Sequence, residues 1–159
     1  MRAIGFEITC AIVSLMCSSV ACARALPHWP YDKLIKESDL VVIVEPTGSE
    51  STDDQPADDG LRKLKELIKG QNTSFNVVHI IKGKAPGETI RMMHFRRKPN
   101  GMLPDNGPSL IKFDPKEHKQ YLLFLKARKD GRYEPVSGQY DPDLSVRELS
   151  FPRTDLWDD

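Results

Sequence analysis

All three cysteines, Cys10, Cys17 and Cys22, fall within the first 22 residues, and everything that follows has none. Whatever domain this chain forms must therefore hold together by packing alone, without disulfides or thiol chemistry. The first stretch reads as a secretory signal peptide. It has Arg2 near its start, an apolar run from Ile8 to Val20 broken only by small or weakly polar residues, and the small-residue exit Ala23-Arg24-Ala25. Cleavage after Ala25 divides the chain into a leader, 1–25, and one domain, 26–159. A domain of that size buries roughly two thirds of its unfolded surface, enough for a core without covalent staples. A small secreted animal domain more often carries disulfides, so bacterial export to the periplasm or medium is the expectation. A lipid anchor on Cys22 competes with it. Ala21 is suitably small for that, but Ser19 stands where an aliphatic residue is expected.

Charge excludes some partners. The chain carries 23 basic and 23 acidic residues, and the leader removes Arg2, Arg24 and Glu7. A near-neutral domain has no global field to gather nucleic acid or a membrane surface. No apolar run after the leader approaches the ~20 residues of a membrane span.

Along the domain, Tyr31 to Glu37 suits a short helix, with Leu34 and Ile35 on one side. Leu40 to Val44 is a β-branched apolar run closed by Pro46, which predicts a buried strand. Thr47 to Gly60 is polar and predicts a loop. Leu61, Leu64, Leu67 and Ile68 recur at helical spacing, with Asp59 placed to cap the start and Gly70 to close the end. Asn72 to Ile81 predicts a strand, bulged where apolar residues fill both faces. Thr89 to Phe95 predicts the next strand, after a hairpin connection at 82–88. Lys98 to Gly107 is an irregular loop, and Ser109 to Phe113 a short extended piece. Gln120 to Leu125 is the most apolar run, followed by the Asp130-Gly131 turn and a return strand, Tyr133 to Val136. Leu144, Val146 and Leu149 predict a last packed element, and 152–159 a frayed end. The expected class is mainly β: a five-stranded, OB-fold-like Greek-key barrel with one or two short helices.

Three segments carry a resemblance: Asp39 to Val44, then Phe75 to Gly83 ending in Lys82-Gly83, then Tyr121 to Leu125 with Asp130-Gly131-Arg132-Tyr133 and Ser137-Gly138. Together they resemble the netrin-like OB-fold module of the tissue inhibitors of metalloproteinases and of many small exported bacterial proteins. The resemblance covers roughly Ser38 to Gly138. It implies the barrel, and no more than that about function. The inhibitors chelate their target's zinc through a cysteine at the mature N-terminus. Here that end reads Leu26-Pro27-His28, so the inhibitory activity does not carry over.

Candidate chemistry is sparse. His79 and His94 lie on consecutive strands and would be the metal candidates if those strands brought them together. No H-x-H, H-E-x-x-H or C-x-x-C spacing supports them, and the expectation is no metal and no cofactor. The acidic stretch Glu50 to Asp59 fails the EF-hand template, because Gln55 and Ala57 occupy its first ligand positions. Arg96-Arg97-Lys98 is a basic cluster that an OB fold could turn on an oligonucleotide or glycan, given Phe95 and Tyr121 as platforms. Both aromatics alternate with core positions, and nucleic acid is not expected outside the cell. Ser109 and Ser137 sit in turns without a G-x-S-x-G elbow. Asn72-Thr73-Ser74 is an N-glycosylation triplet that matters only in a eukaryotic source. The expectation is an exported, non-enzymatic binding module for a protein or envelope partner, offering a barrel face or the loops around Gln55 and Asn100. A structural envelope protein and a small metal-dependent hydrolase are the alternatives.

Overall fold

The computed structural model describes residues 24–149, so residues 1–23 with all three cysteines, including Cys22, and the tail from Ser150 lie outside the described residues. The order is α1 (Tyr31–Glu37), β1 (Leu40–Thr52), α2 (Asp59–Arg62), β2 (Ile68–Lys82), β3 (Thr89–Arg97), β4 (Gln120–Ala127), β5 (Tyr133–Pro135) and β6 (Val146–Leu149). Short 3₁₀ turns at Pro115–Glu117 and Pro142–Ser145 complete it.

Five strands close into a barrel in the order β1-β2-β3-β5-β4 and back to β1. All neighbours are antiparallel except β3 and β5, which meet in parallel at Met92 and Tyr133. This is the expected OB-like Greek-key barrel. β6 follows β5 along the same edge of β4, pairing Val146 with Leu123 and Leu149 with Gln120. The barrel can stand without cross-links because its inward side chains are large and apolar. Leu40, Val42, Val44, Phe75, Leu123 and Leu125 are all essentially sealed from solvent. Phe113, from the β3–β4 connection, fills the centre edge-on to Phe75 and Tyr121, with ring centroids 5.0 Å away in each case. Two smaller apolar clusters lie outside the barrel. Under α1, Leu34 packs on Val41, Phe124 and Val136. Over the outer face of β3, Leu61 and Ile68 pack on Met93 and Phe95.

Several expectations need correction. β1 does not stop at Pro46 but runs on to Thr52, through half of the segment read as a loop. Pro46 is tolerated because Thr47 bulges beside it, where the ladder to β2 is already interrupted. The extension is polar because it pairs with an equally polar half of β2: Ser49 faces Thr73, and Ser51 faces Gln71. The helix read over 61–68 shrinks to Asp59–Arg62, and its cap is Asp58, whose carboxylate accepts from the Gly60 and Leu61 amides at 2.8 and 3.1 Å. Ile68 opens β2 instead of ending a helix, and Gly70 pairs with Phe95 inside the sheet instead of capping. Tertiary demand outweighs helical spacing here, since Leu61, Leu64 and Ile68 are used to cover β3. Ser109 to Phe113 forms no strand. The expected bulges in β2 are present at Val78 and Ile81, which have no partners on β1. The β4–β5 hairpin turns at Asp130-Gly131 as expected, with Gly131 at φ 81°.

Candidate functional site

The loop around Asn100 meets the turn that follows α2, at Lys65 and Leu67, at one end of the barrel. The Lys98 amide donates to the Leu67 carbonyl at 2.9 Å, and the Lys98 ammonium reaches the Lys65 carbonyl at 3.3 Å. They are pressed so close that a Cβ on Gly101 would stand 2.4 Å from the Leu67 carbonyl oxygen, so only glycine fits there. Beneath them, Leu103 and Leu110 lean on the Met93–Phe95 cluster. Phe95, 2% exposed, is thus roofed by the protein's own loops and cannot stack on a ligand. Tyr121 is equally buried, inside the barrel.

Where β3 runs out, this loop end opens into a pocket of about 520 Å³. Arg96, Arg97, Lys98 and Lys112 supply its charge, and Leu103, Pro108 and Leu110 its apolar wall; no carboxylate among the described residues lines it. A second cavity of about 400 Å³ adjoins it, sharing Lys98 and Pro99 and adding Lys69 and Glu66. Among the described residues, Arg96, Arg97 and Lys112 form no ion pair. The Arg96 Nε is buried and has no acceptor. A buried guanidinium donor without a partner costs roughly 1–3 kcal/mol, which an incoming acceptor would recover.

The β4–β5 hairpin handles arginine differently. Arg132 donates both terminal nitrogens to Asp54, at 2.6 and 2.8 Å, and also reaches Asn72 at 2.8 Å and Asp130 at 2.6 Å. Arg128 reaches Glu134 at 3.0 Å and Asp130 at 3.2 Å. The Arg132 hydrogen bond is the main reason that the carboxyls of Asp54 and Asp130 are held below the usual carboxylate range. This cluster ties the β1–β2 connection to the β4–β5 turn, and its charges are mutually spent.

The structure separates the histidines. His79 is exposed and faces Ile43 of β1, whereas His94 is buried and faces Gln71 of β2. His79 lies eight residues beyond Gln71 along β2, roughly 26 Å of strand. Among the described residues no group of three or more His, Cys, Asp or Glu side chains could hold a metal. The pairing of consecutive strands could be read from the sequence, but not which end of the strand each histidine occupies. His94 Nδ1 lies 3.4 Å from the Phe95 carbonyl, which can only accept, so Nδ1 carries the proton. Nε2 then accepts from the Thr73 hydroxyl at 2.9 Å, and Thr73 accepts from Ser49 at 2.8 Å. Burial pushes the imidazole down to about 4. His94 is a neutral core group that edges Phe113.

Both serines are tied to Asp141, Ser137 by its hydroxyl and Ser109 by its backbone. The Ser137 hydroxyl donates to the Asp141 carbonyl at 2.9 Å, and the Ser109 amide donates to the Asp141 carboxylate at 3.1 Å. Asn72 is buried with its side-chain oxygen on Arg132, which leaves no room for a glycan. Of the acidic stretch, Glu50 belongs to β1 and pairs with Arg91 on β3, and Asp54 belongs to the Arg132 cluster. Sequence reading found Arg96-Arg97-Lys98. It missed Lys112 and the wall of Leu103, Pro108 and Leu110, which the β3–β4 connection folds back over them; the only signal was that loop's density of proline and glycine. No sequence model of a protein family matches this chain, and no curated protein matches it significantly.

Proposed function

We propose that this chain is an exported, non-enzymatic binding module of the netrin-like OB class, and that it meets its ligand at the loop end of the barrel. The observation that carries the reading is the concentration of unpaired cations around one cavity of an otherwise balanced domain. A neutral protein gains nothing in stability from grouping Arg96, Arg97, Lys98 and Lys112 without counterions. A cleft lined by one sign of charge focuses its field outward and raises the local concentration of an anionic partner. A long connection on a rigid barrel, such as the one between β3 and β4, is also where binding residues concentrate in general.

Affinity capture from the exported fraction tests the reading, with the wild-type chain and Arg96→Gln/Arg97→Gln as paired baits. A partner or ligand retained by the first and lost by the second is expected. Capture that is empty, or that ignores the two arginines, removes the basis of the proposal. Export makes its own prediction. Intact mass of the protein recovered outside the cytoplasm should correspond to a chain beginning at Leu26, and a diacylated Cys22 would replace the secreted reading with an anchored one.

A further inference from the structure

We infer that the pocket at the end of β3 takes a phosphate-headed amphiphile, its head on Arg96 and Arg97 and its apolar part along Leu103, Pro108 and Leu110. This rests on the binding-module reading and names the ligand of that site. Four cations line the cavity and, among the described residues, no carboxylate does, which matches a group of more than one negative charge. Two of them are arginines on consecutive residues, whose planar forks suit the oxygens of a phosphate. The buried Arg96 Nε is a donor already desolvated and without an acceptor. An anion there forms a hydrogen bond without first displacing a protein partner.

The rest of the wall sets the kind of molecule. A polynucleotide would need stacking platforms, and both nearby candidates, Phe95 and Tyr121, are in the core. An extended peptide would need free backbone donors along the rim; Pro99 and Pro108 have none, and the Lys98 and Ser109 amides already donate to Leu67 and Asp141. What remains is an apolar wall beside a basic head site, in a volume of the size that holds ordinary small ligands. Met102, beside Leu103 in the same loop, is 86% exposed, the most exposed large apolar side chain of the described residues. It offers an insertion point if the amphiphile is presented by a bilayer.

The purified full chain is titrated with dihexanoyl phosphatidate, with inorganic phosphate, and with phosphatidylcholine vesicles containing or lacking phosphatidic acid. The soluble phosphatidate is expected to bind at least about tenfold more tightly than inorganic phosphate, and Arg96→Gln/Arg97→Gln to weaken it by about tenfold or more. Lys112→Gln, an exposed loop change that leaves the core untouched, should weaken it by about threefold and guards against a misfolded double variant. Binding to the acidic vesicles that falls with Met102→Ser identifies a bilayer lipid as the source. Binding of the soluble phosphatidate alone identifies a free ligand. Inorganic phosphate binding as tightly as phosphatidate, or affinity indifferent to the arginines and to Lys112, overturns the inference. If phosphatidate fails while the captured partner still depends on Arg96 and Arg97, the ligand class falls and the module stands; if both fail, both fall.

Discussion

Two arginine pairs occupy the same domain under opposite rules. Arg128 and Arg132, flanking the β4–β5 turn, are surrounded by Asp54, Asp130 and Glu134. Arg96 and Arg97, closing β3, pair with no carboxylate among the described residues. Residue type is therefore no guide to role, and partner geometry is. Charges spent on one another cross-brace the β1–β2 connection and the β4–β5 turn. Charges left open around a cavity add nothing to the fold and are available to something else.

The sharpest way to break this contrast is Arg132→Ala. Asp54 keeps only Arg128, at 3.6 Å, as its cationic partner, and the side chain is mostly buried. A loss of about 3 kcal/mol in urea denaturation at pH 7 is expected, because a largely buried carboxylate loses its bidentate partner. A loss under about 1 kcal/mol would put this cluster in the same class as ordinary surface pairs.

Acid unfolding separates the brace from the core. His94 has its folded value pushed down to about 4 from an ordinary 6.5, so the unfolded state takes up the proton first. Its contribution to stability is intact above pH 6.5 and is lost as pH falls toward 4, by roughly 2–3 kcal/mol. Asp54 and Asp130 are shifted down by the Arg132 cluster, so their contribution survives to lower pH and disappears only below the ordinary carboxylate range. His94→Gln should flatten the upper limb of the stability profile, and Arg132→Ala the lower one. A single limb abolished by both variants would show that the two regions are not independent.

How much of this could be read beforehand follows from the same physics. The inner strands were legible because they are apolar on both faces, Leu40, Val42 and Val44 toward the barrel centre and Val41 and Phe124 toward α1: Leu40 to Val44 and Gln120 to Leu125 fall where the sequence puts them. The outer half of β1 was not, because a strand paired only with the polar half of β2 carries no apolar alternation. The Arg132 brace was not, because Asp54 and Asn72 lie 78 and 60 residues away along the chain. The open cluster showed its three consecutive cations, but a basic tripeptide becomes a site only when a distant segment walls it.

Arg24 gives an intermediate case. Its guanidinium meets the Asp141 carboxylate at 2.6 Å and lies over the Tyr140 ring, 4.8 Å from its centroid. A domain beginning at Leu26 lacks it and leaves Asp141 the Ser109 amide. Comparing the two lengths by thermal denaturation should show the shorter chain destabilised by about 1 kcal/mol. No difference would mean that water replaces Arg24 at no cost. The open pair should then cost the fold nothing: Arg96→Gln/Arg97→Gln is expected to be at least as stable as wild type, because it removes the unpartnered buried Nε.

The last prediction reads the open charge directly. Arg96 helps to depress His94 through its positive field, behind the larger effect of burial. Nothing in the described chain neutralises that field, so Arg96→Gln should raise the His94 value by roughly a few tenths of a unit, measured from its imidazole Hε1 shift between pH 3 and 6. An anion seated against Arg96 should move wild-type His94 in the same direction and leave the variant unmoved. A counterion already in place would leave the substitution with no effect on His94, and the two arginine pairs would then obey one rule.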